Sequence, residues 1–166
     1  TLTQADLVLF CLKAYQLPQA FEQYLPLIPQ TTPLVLCHNG MLMPDTLPKE
    51  RILLALLTTH ASKLSQAFCL EHTGLGTNDL GLLTGKLSNK HRKNITALLA
   101  KALPTTNWSD NIKEKQWRKL AINCVINPLT AIDNCDNGEI LSARYKPLIV
   151  SILKEFIAVA KAYDIA

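Results

Sequence analysis

A chain of 166 residues, 48% apolar and 18% charged, carries enough apolar material for a packed core, which excludes a disordered or fibrous class. Its net charge of +4 is spread evenly, 9 Lys+Arg against 7 Asp+Glu over residues 1–110 and 8 against 6 over residues 111–166, so no basic domain points to nucleic acid. No uncharged apolar run is long enough for a membrane span, no basic start suggests a signal peptide, and five cysteines without a CxxC pair read as reduced thiols of a cytoplasmic protein.

Residues 7–12 (LVLFCL) form a continuous apolar run, the pattern of a strand buried on both faces. A helical pattern follows over 17–28, with Pro18 in its first turn, and Pro29 and Pro33 end it. Residues 34–37 read as a second buried strand leading into His38-Asn39-Gly40. Strand, helix and strand in that order predict a βαβ unit and a parallel sheet. Further strands are expected at 52–58, 67–72 and 77–83, with Gly74, Gly76 and Gly81 punctuating the turns. Residues 89–103 predict an amphipathic helix through Ile95, Leu98, Leu99 and Ala102, stopped by Pro104, and 105–110 read as a polar turn.

From Asn111 the strand signals stop. Residues 111–126 are helical by pattern, and Asn127-Pro128 resembles an N-cap with proline at the first position of a second helix. Asn137-Gly138 signals a turn, and Pro147 opens a last helix to about Tyr163. The expected organisation is a mixed α/β domain over 1–110 and the start of an all-α domain over 111–166.

The most informative stretch is 117–130, where Lys119, Asn123 and Asn127 recur every four residues among apolar neighbours. Residues four apart share a helix face, and burying a cation and two amides costs free energy unless each finds a partner. Such a face suits a polar ligand. Lys119 and Asn123 align; Asn127 joins them if the helix persists to Pro128, and otherwise it is a cap. His38-Asn39-Gly40-Met41 lies at the carboxyl end of the second strand, where open α/β sheets bind ligands. Lys13 sits past the first strand at the same sheet edge, or is simply a surface lysine at a helix start. Thr58-Thr59-His60 has no nucleophile elbow and reads as a hydrogen-bonded strand histidine. Gly74-Leu75-Gly76 lacks the third glycine of a dinucleotide fingerprint, the histidines and Cys37 lack metal-site spacing, and Lys86, Lys90, His91, Arg92 and Lys93 read as a solvated helix start.

The segment WRKLAINCVINPLTAIDNCDNGEIL, residues 117–141, closely resembles the signature of the ketopantoate reductase family. Asp6-Leu7-Val8, Leu12-Lys13-Ala14-Tyr15, His38-Asn39-Gly40-Met41 and Thr58-Thr59-His60-Ala61 occur in that family's order, and Gly81 fits the glycine that ends its later strand. The resemblance covers nearly the whole chain. It implies a partial Rossmann-like parallel-sheet domain that binds NADP, followed by the start of an all-α domain like the C-terminal domain of 6-phosphogluconate dehydrogenase.

The activity implied is reduction of 2-dehydropantoate to pantoate with NADPH, a step towards coenzyme A. By resemblance Lys119 matches the catalytic lysine and proton donor, and Asn123, Asn127 and Asn137 match substrate-binding asparagines. Lys13, Asn39 and Ser62 match coenzyme positions, with Ser62 standing where the family commonly has alanine. Leu42 replaces a glycine that often follows His-Asn-Gly-Met. The implied partner is a small 2-keto acid, without nucleic acid or membrane. The family's first strand and glycine-rich turn, and its later helices, have no counterpart in these residues, so the chain is expected to be a fragment with an exposed sheet edge and a tendency to self-associate. Two alternatives stand beside this reading. One is a non-catalytic fragment acting as a binding or assembly module, and the other is an oxidoreductase of the 6-phosphogluconate dehydrogenase type.

Overall fold

The computed structural model describes residues 2–42 and 46–165, with Lys63 and Leu64 described by their backbone alone. The chain divides into two compact units, residues 1–112 and 113–166. In the first unit a five-stranded sheet runs in the order β1-β2-β3-β6-β7. Its strands are β1 Val8–Phe10, β2 Leu34–Leu36, β3 Leu53–Thr58, β6 Asn78–Thr84 and β7 Thr106–Trp108. Helix α1, Leu17–Tyr24, connects β1 to β2, and α2, Asn89–Ala102, connects β6 to β7.

β1, β2 and β3 are parallel, as are β6 and β7, but β3 and β6 are antiparallel. The sheet is therefore mixed, where the sequence pattern alone suggested a parallel one. The reason lies between β3 and β6. A parallel return needs a crossover of a dozen or more residues, usually a helix. This chain instead makes a hairpin, β4 Ala61–Gln66 with β5 Cys69–Gly74, which delivers it back beside β3. The expected strand at 67–72 is shifted: Ala67 and Phe68 form the turn, with Phe68 at a φ of 62°. β4 has no apolar run to announce it.

The buried strands divide their side chains between two faces. Leu34, Leu36 and Leu53 join Phe10, Leu17, Ala20, Phe21 and Ile28 on the α1 side. Val35, Leu54 and Leu80 join Ile95 and Leu99 on the α2 side. This alternation is the period-2 geometry of a strand acting in a three-layer sandwich. The carboxyl ends of β1 and β2 thus emerge together at one sheet edge. Ser88 caps α2 by accepting the His91 backbone N–H at 3.3 Å. From the same basic turn, Arg92 lies over the Trp108 ring at 5.2 Å and pairs with Asp110 at 3.5 Å. Residues 105–110, expected as a turn, contain β7, whose Asn78–Thr106 register adds a short edge strand.

His60 lies between β3 and β4, not within a strand. Its Nδ1 accepts the Gly76 backbone N–H at 3.2 Å and sits 3.0 Å from His72 Nε2. Asn78, buried on β6, donates to the Pro104 carbonyl at 3.0 Å.

α3 starts at Ile112, the last residue of the first unit, and runs through the second to Asp133 without interruption, Pro128 included. No second helix starts at Asn127. Residues 137–141 form a 3-10 helix in place of a simple turn, and α4 spans Lys146–Ala162. Val125 and Leu129 of α3 pack with Ile140, Tyr145 and the α4 side chains Ile149, Ile152 and Leu153. Trp117 lies edge-on to Phe156 with ring centroids 5.7 Å apart. Among the described residues no helix is long and apolar enough to cross a membrane, and no three His, Cys, Asp or Glu side chains group to hold a metal.

Gly81 lies in the middle of β6, not at its end. A Cβ there would come within 2.3 Å of Ile112 Cβ and 2.6 Å of the Ser109 carbonyl oxygen. Gly81→Val is expected to destabilise the first unit by about 2–3 kcal/mol. A denaturant melt of the chain checks it, and an unchanged midpoint would show that this approach is not close.

Candidate functional site

Helix α3 carries the first group of site residues. Because it is continuous through Pro128, Lys119, Asn123 and Asn127 lie on one face, drifting only about 40° per step of four residues. Lys119 and Asn123 are half-buried and Asn127 is exposed. Two polar residues extend the stripe, and the four-residue spacing did not reveal them. Gln116 precedes Lys119 by three positions and is buried, and half-buried Thr130 follows Asn127 by three. The Thr130 hydroxyl donates to the Ile126 carbonyl at 2.9 Å, so its own polarity is spent on the helix. Gln116 continues the stripe by a step of three, so a strict four-residue spacing does not include it.

The stripe and the residues that pack α3 lie on different parts of the helix surface, with Ile126 between them. Val125 and Leu129 lie about 160° and 120° round the helix from Asn123 and fill the helical core. Burial pushes the Lys119 ammonium below the usual lysine range, because desolvation penalises its charged form. Asn137 opens the 3-10 helix after α3 and is exposed. Asp136, just before it, receives the Glu139 carboxylate on its backbone N–H at 3.2 Å.

In the first unit, the carboxyl ends of β1 and β2 open onto a cleft of about 410 Å³. Cys11, Lys13, Gln16, Cys37, His38 and Asn39 are among its lining. The Gln16 side-chain oxygen accepts the Lys13 backbone N–H at 2.9 Å and holds the 3-10 turn that presents Lys13. Gly40 follows with a φ of +86°, which turns the chain away from the sheet in a conformation that favours glycine. Leu42, where the resemblance suggested glycine, packs against the α1-side core.

His38 is half-buried, and burial lowers its pKa, so it is neutral at physiological pH. Its buried Nδ1 has no hydrogen-bond partner among the described residues. A buried polar atom without a partner, beside a lysine and an asparagine, fits a cleft that takes a polar ligand. Lys13 and Asn39 are thus brought together. Ser62 is not among them: it lies exposed on β4, paired in register with His72 of the hairpin.

Comparison with known proteins follows the same two parts of the chain. The family model described as ketopantoate reductase PanE/ApbA matches residues 1–85, and that for the ketopantoate reductase PanE/ApbA C terminal matches residues 111–166. The 2-dehydropantoate 2-reductase of Vibrio cholerae serotype O1 is 35% identical over 170 residues, which covers 100% of this chain and 56% of the relative. The crystal structure of a PanE/ApbA family ketopantoate reductase from Ralstonia eutropha JMP134 superposes with a TM-score of 0.81 at 26% identity, over 99% of this chain and 54% of that one. D-mandelate dehydrogenase, in a ternary structure with NADH and anilino(oxo)acetate, gives a TM-score of 0.81 at 23% identity over 99% and 55%, a likeness of fold. The chain spans about half the length of the curated relatives it matches. Matched by family models in both of its parts, and aligned along its whole length with a 2-dehydropantoate 2-reductase, the chain belongs to the ketopantoate reductase family.

Proposed function

We propose that this chain contributes to an NADPH-dependent reduction of 2-dehydropantoate to pantoate. Residues 1–110 form part of the coenzyme domain, and residues 111–166 begin the substrate domain. The observation that carries the reading is the polar stripe of Lys119, Asn123 and Asn127 on one unbroken helix of a ketopantoate reductase family member. The V. cholerae relative is named for this reaction, and D-mandelate dehydrogenase, a neighbour in fold, holds NADH.

A bound reduced nicotinamide would supply a hydride to the ketone carbon. Lys119 would give its ammonium proton to the ketone oxygen. Its partial burial favours the neutral amine and so makes the proton easier to release. Asn123, Asn127 and Asn137 carry amides that both donate and accept, which suits a substrate with a hydroxyl and a carboxylate. Lys13 and Asn39 would hold the coenzyme at the carboxyl edge of β1 and β2, with the ammonium of Lys13 meeting its phosphate charge. The Ser62 backbone would add a further coenzyme contact from β4. NADPH in place of NADH is part of the proposal and is tested by comparing the two as reductants.

A second reading is that the chain acts as a binding or assembly module and does not turn over. Assay of the 166-residue chain with 2-dehydropantoate separates the two: NADPH consumption supports the reductase, and binding without consumption supports the module.

In a preparation that turns over, Lys119→Ala is expected to lower kcat by ~10²–10⁴. Unchanged turnover would remove Lys119 from the mechanism. The donor must be protonated, so kcat falls as pH rises through the Lys119 pKa. Because burial lowers that pKa, the alkaline limb should begin below the usual lysine range, and a pH–rate profile of the wild type reads it. Lys13→Ala should raise KM for NADPH by roughly tenfold to a hundredfold with little change in kcat, the loss of one charge-assisted contact. An equal loss in kcat would place Lys13 outside a simple binding role.

A further inference from the structure

The parallel ladder of β1 and β2 sets two thiols side by side. Phe10 is paired with Leu36, and the Cys37 backbone N–H donates to the Phe10 carbonyl at 3.0 Å. Cys11 and Cys37 are therefore the next rung, on strands about 4.8 Å apart. That spacing falls inside the roughly 4.4–6.8 Å between Cα atoms that a disulfide spans. Both thiols are free, and Cys11 is close enough to Cys37 to raise the pKa of its thiol. They share the lining of the cleft with Lys13, His38 and Asn39. The other cysteines lie elsewhere: Cys69 on β5, and Cys124 and Cys135 in the second unit.

We propose that Cys11 and Cys37 are a reversible dithiol–disulfide pair built into the wall of this cleft and closed by small-molecule disulfides such as glutathione disulfide. The two thiols have different parts. Cys11 is exposed and meets the oxidant first. Burial, reinforced by neighbouring Cys11, pushes the Cys37 thiol up to about 12, so it is protonated in the resting state. Its Sγ donates to the Val35 carbonyl at 4.0 Å.

The exchange balances in two steps. The Cys11 thiolate attacks one sulfur of glutathione disulfide, breaking its S–S bond and releasing one glutathione. Cys37 then loses its proton to solvent and attacks the Cys11 sulfur of the mixed disulfide, expelling the second glutathione. Two protein thiols are oxidised to one disulfide, and one glutathione disulfide is reduced to two thiols. Formation of the mixed disulfide also removes the neighbouring Cys11 thiol that helps to raise the Cys37 pKa.

The test uses the folded 166-residue chain, incubated with excess glutathione disulfide, alkylated and mapped by peptide mass. The expected product carries a cross-link between the Cys11 and Cys37 peptides, with no glutathione on either, whatever adduct exposed Cys69 takes, and returns to the starting mass with dithiothreitol. Cys37→Ala should stop at a glutathione adduct on Cys11, and Cys11→Ser should leave Cys37 unmodified. A wild-type product that retains glutathione on Cys11, or that links Cys11 to another cysteine, would overturn the pair. Closure of the bridge is also expected to weaken NADPH binding. That consequence rests on the coenzyme assignment of the cleft, whereas the mass measurement does not. Equal NADPH affinity of the oxidised and reduced forms would overturn the consequence.

Discussion

Complete burial of β2 is the constraint on which the first unit depends. Leu34, Val35 and Leu36 are 0%, 0% and 1% exposed, enclosed by β1 and β3 at the sides and by the α1-side and α2-side clusters above and below. A strand so enclosed cannot slip by one residue, because every side chain would exchange one core for the other. Its register with β1 is therefore firm, and so is the place where both strands end. Everything proposed for that edge follows from it. Lys13 and Asn39 share a cleft because β1 and β2 stop together, and Cys11 faces Cys37 because the ladder runs one rung beyond the strands.

The second unit has a comparable division of labour within one helix. Val125 and Leu129 supply the packing that holds α3, which leaves another part of its surface free to be polar. Pro128 looks unfavourable at first sight, since proline gives no N–H to the carbonyl four residues back and crowds it. The helix nevertheless continues, and Leu129 in the next position is buried in the core. Tertiary packing here outweighs the local cost of the proline, as packing commonly outweighs propensity.

That contrast explains what could be read in advance. β1, β2, β3, β6, α2 and α4 were legible because burial on both faces, or on one helical stripe, leaves an unmistakable apolar pattern. β4 was not, because Ser62, Ser65 and Gln66 are exposed and the strand is held by its hairpin partner alone. β7 was hidden by its three-residue length and by Thr106 and Asn107, which look like turn residues. Asn127 could be read as a cap or as part of a stripe, and only the unbroken helix distinguishes them. Ser62 was proposed by resemblance, and its place on the hairpin sets it apart from Lys13 and Asn39 in the cleft lining.

The hairpin between β3 and β6 has one more consequence, for how such a chain can change over time. At its base the Thr59 backbone N–H donates to the Thr77 carbonyl at 3.0 Å, and the Thr77 N–H donates to the Thr59 hydroxyl at 2.9 Å. These bonds close the excursion before it leaves the sheet. Beyond them Phe68 and Leu70 are fully or largely exposed and belong to none of the buried clusters. Residues can therefore be added to or removed from the tip, two at a time to keep the pairing, without moving β3 or β6. A chain with this sheet can change the length of the tip around Phe68 while the strands beneath it stay fixed.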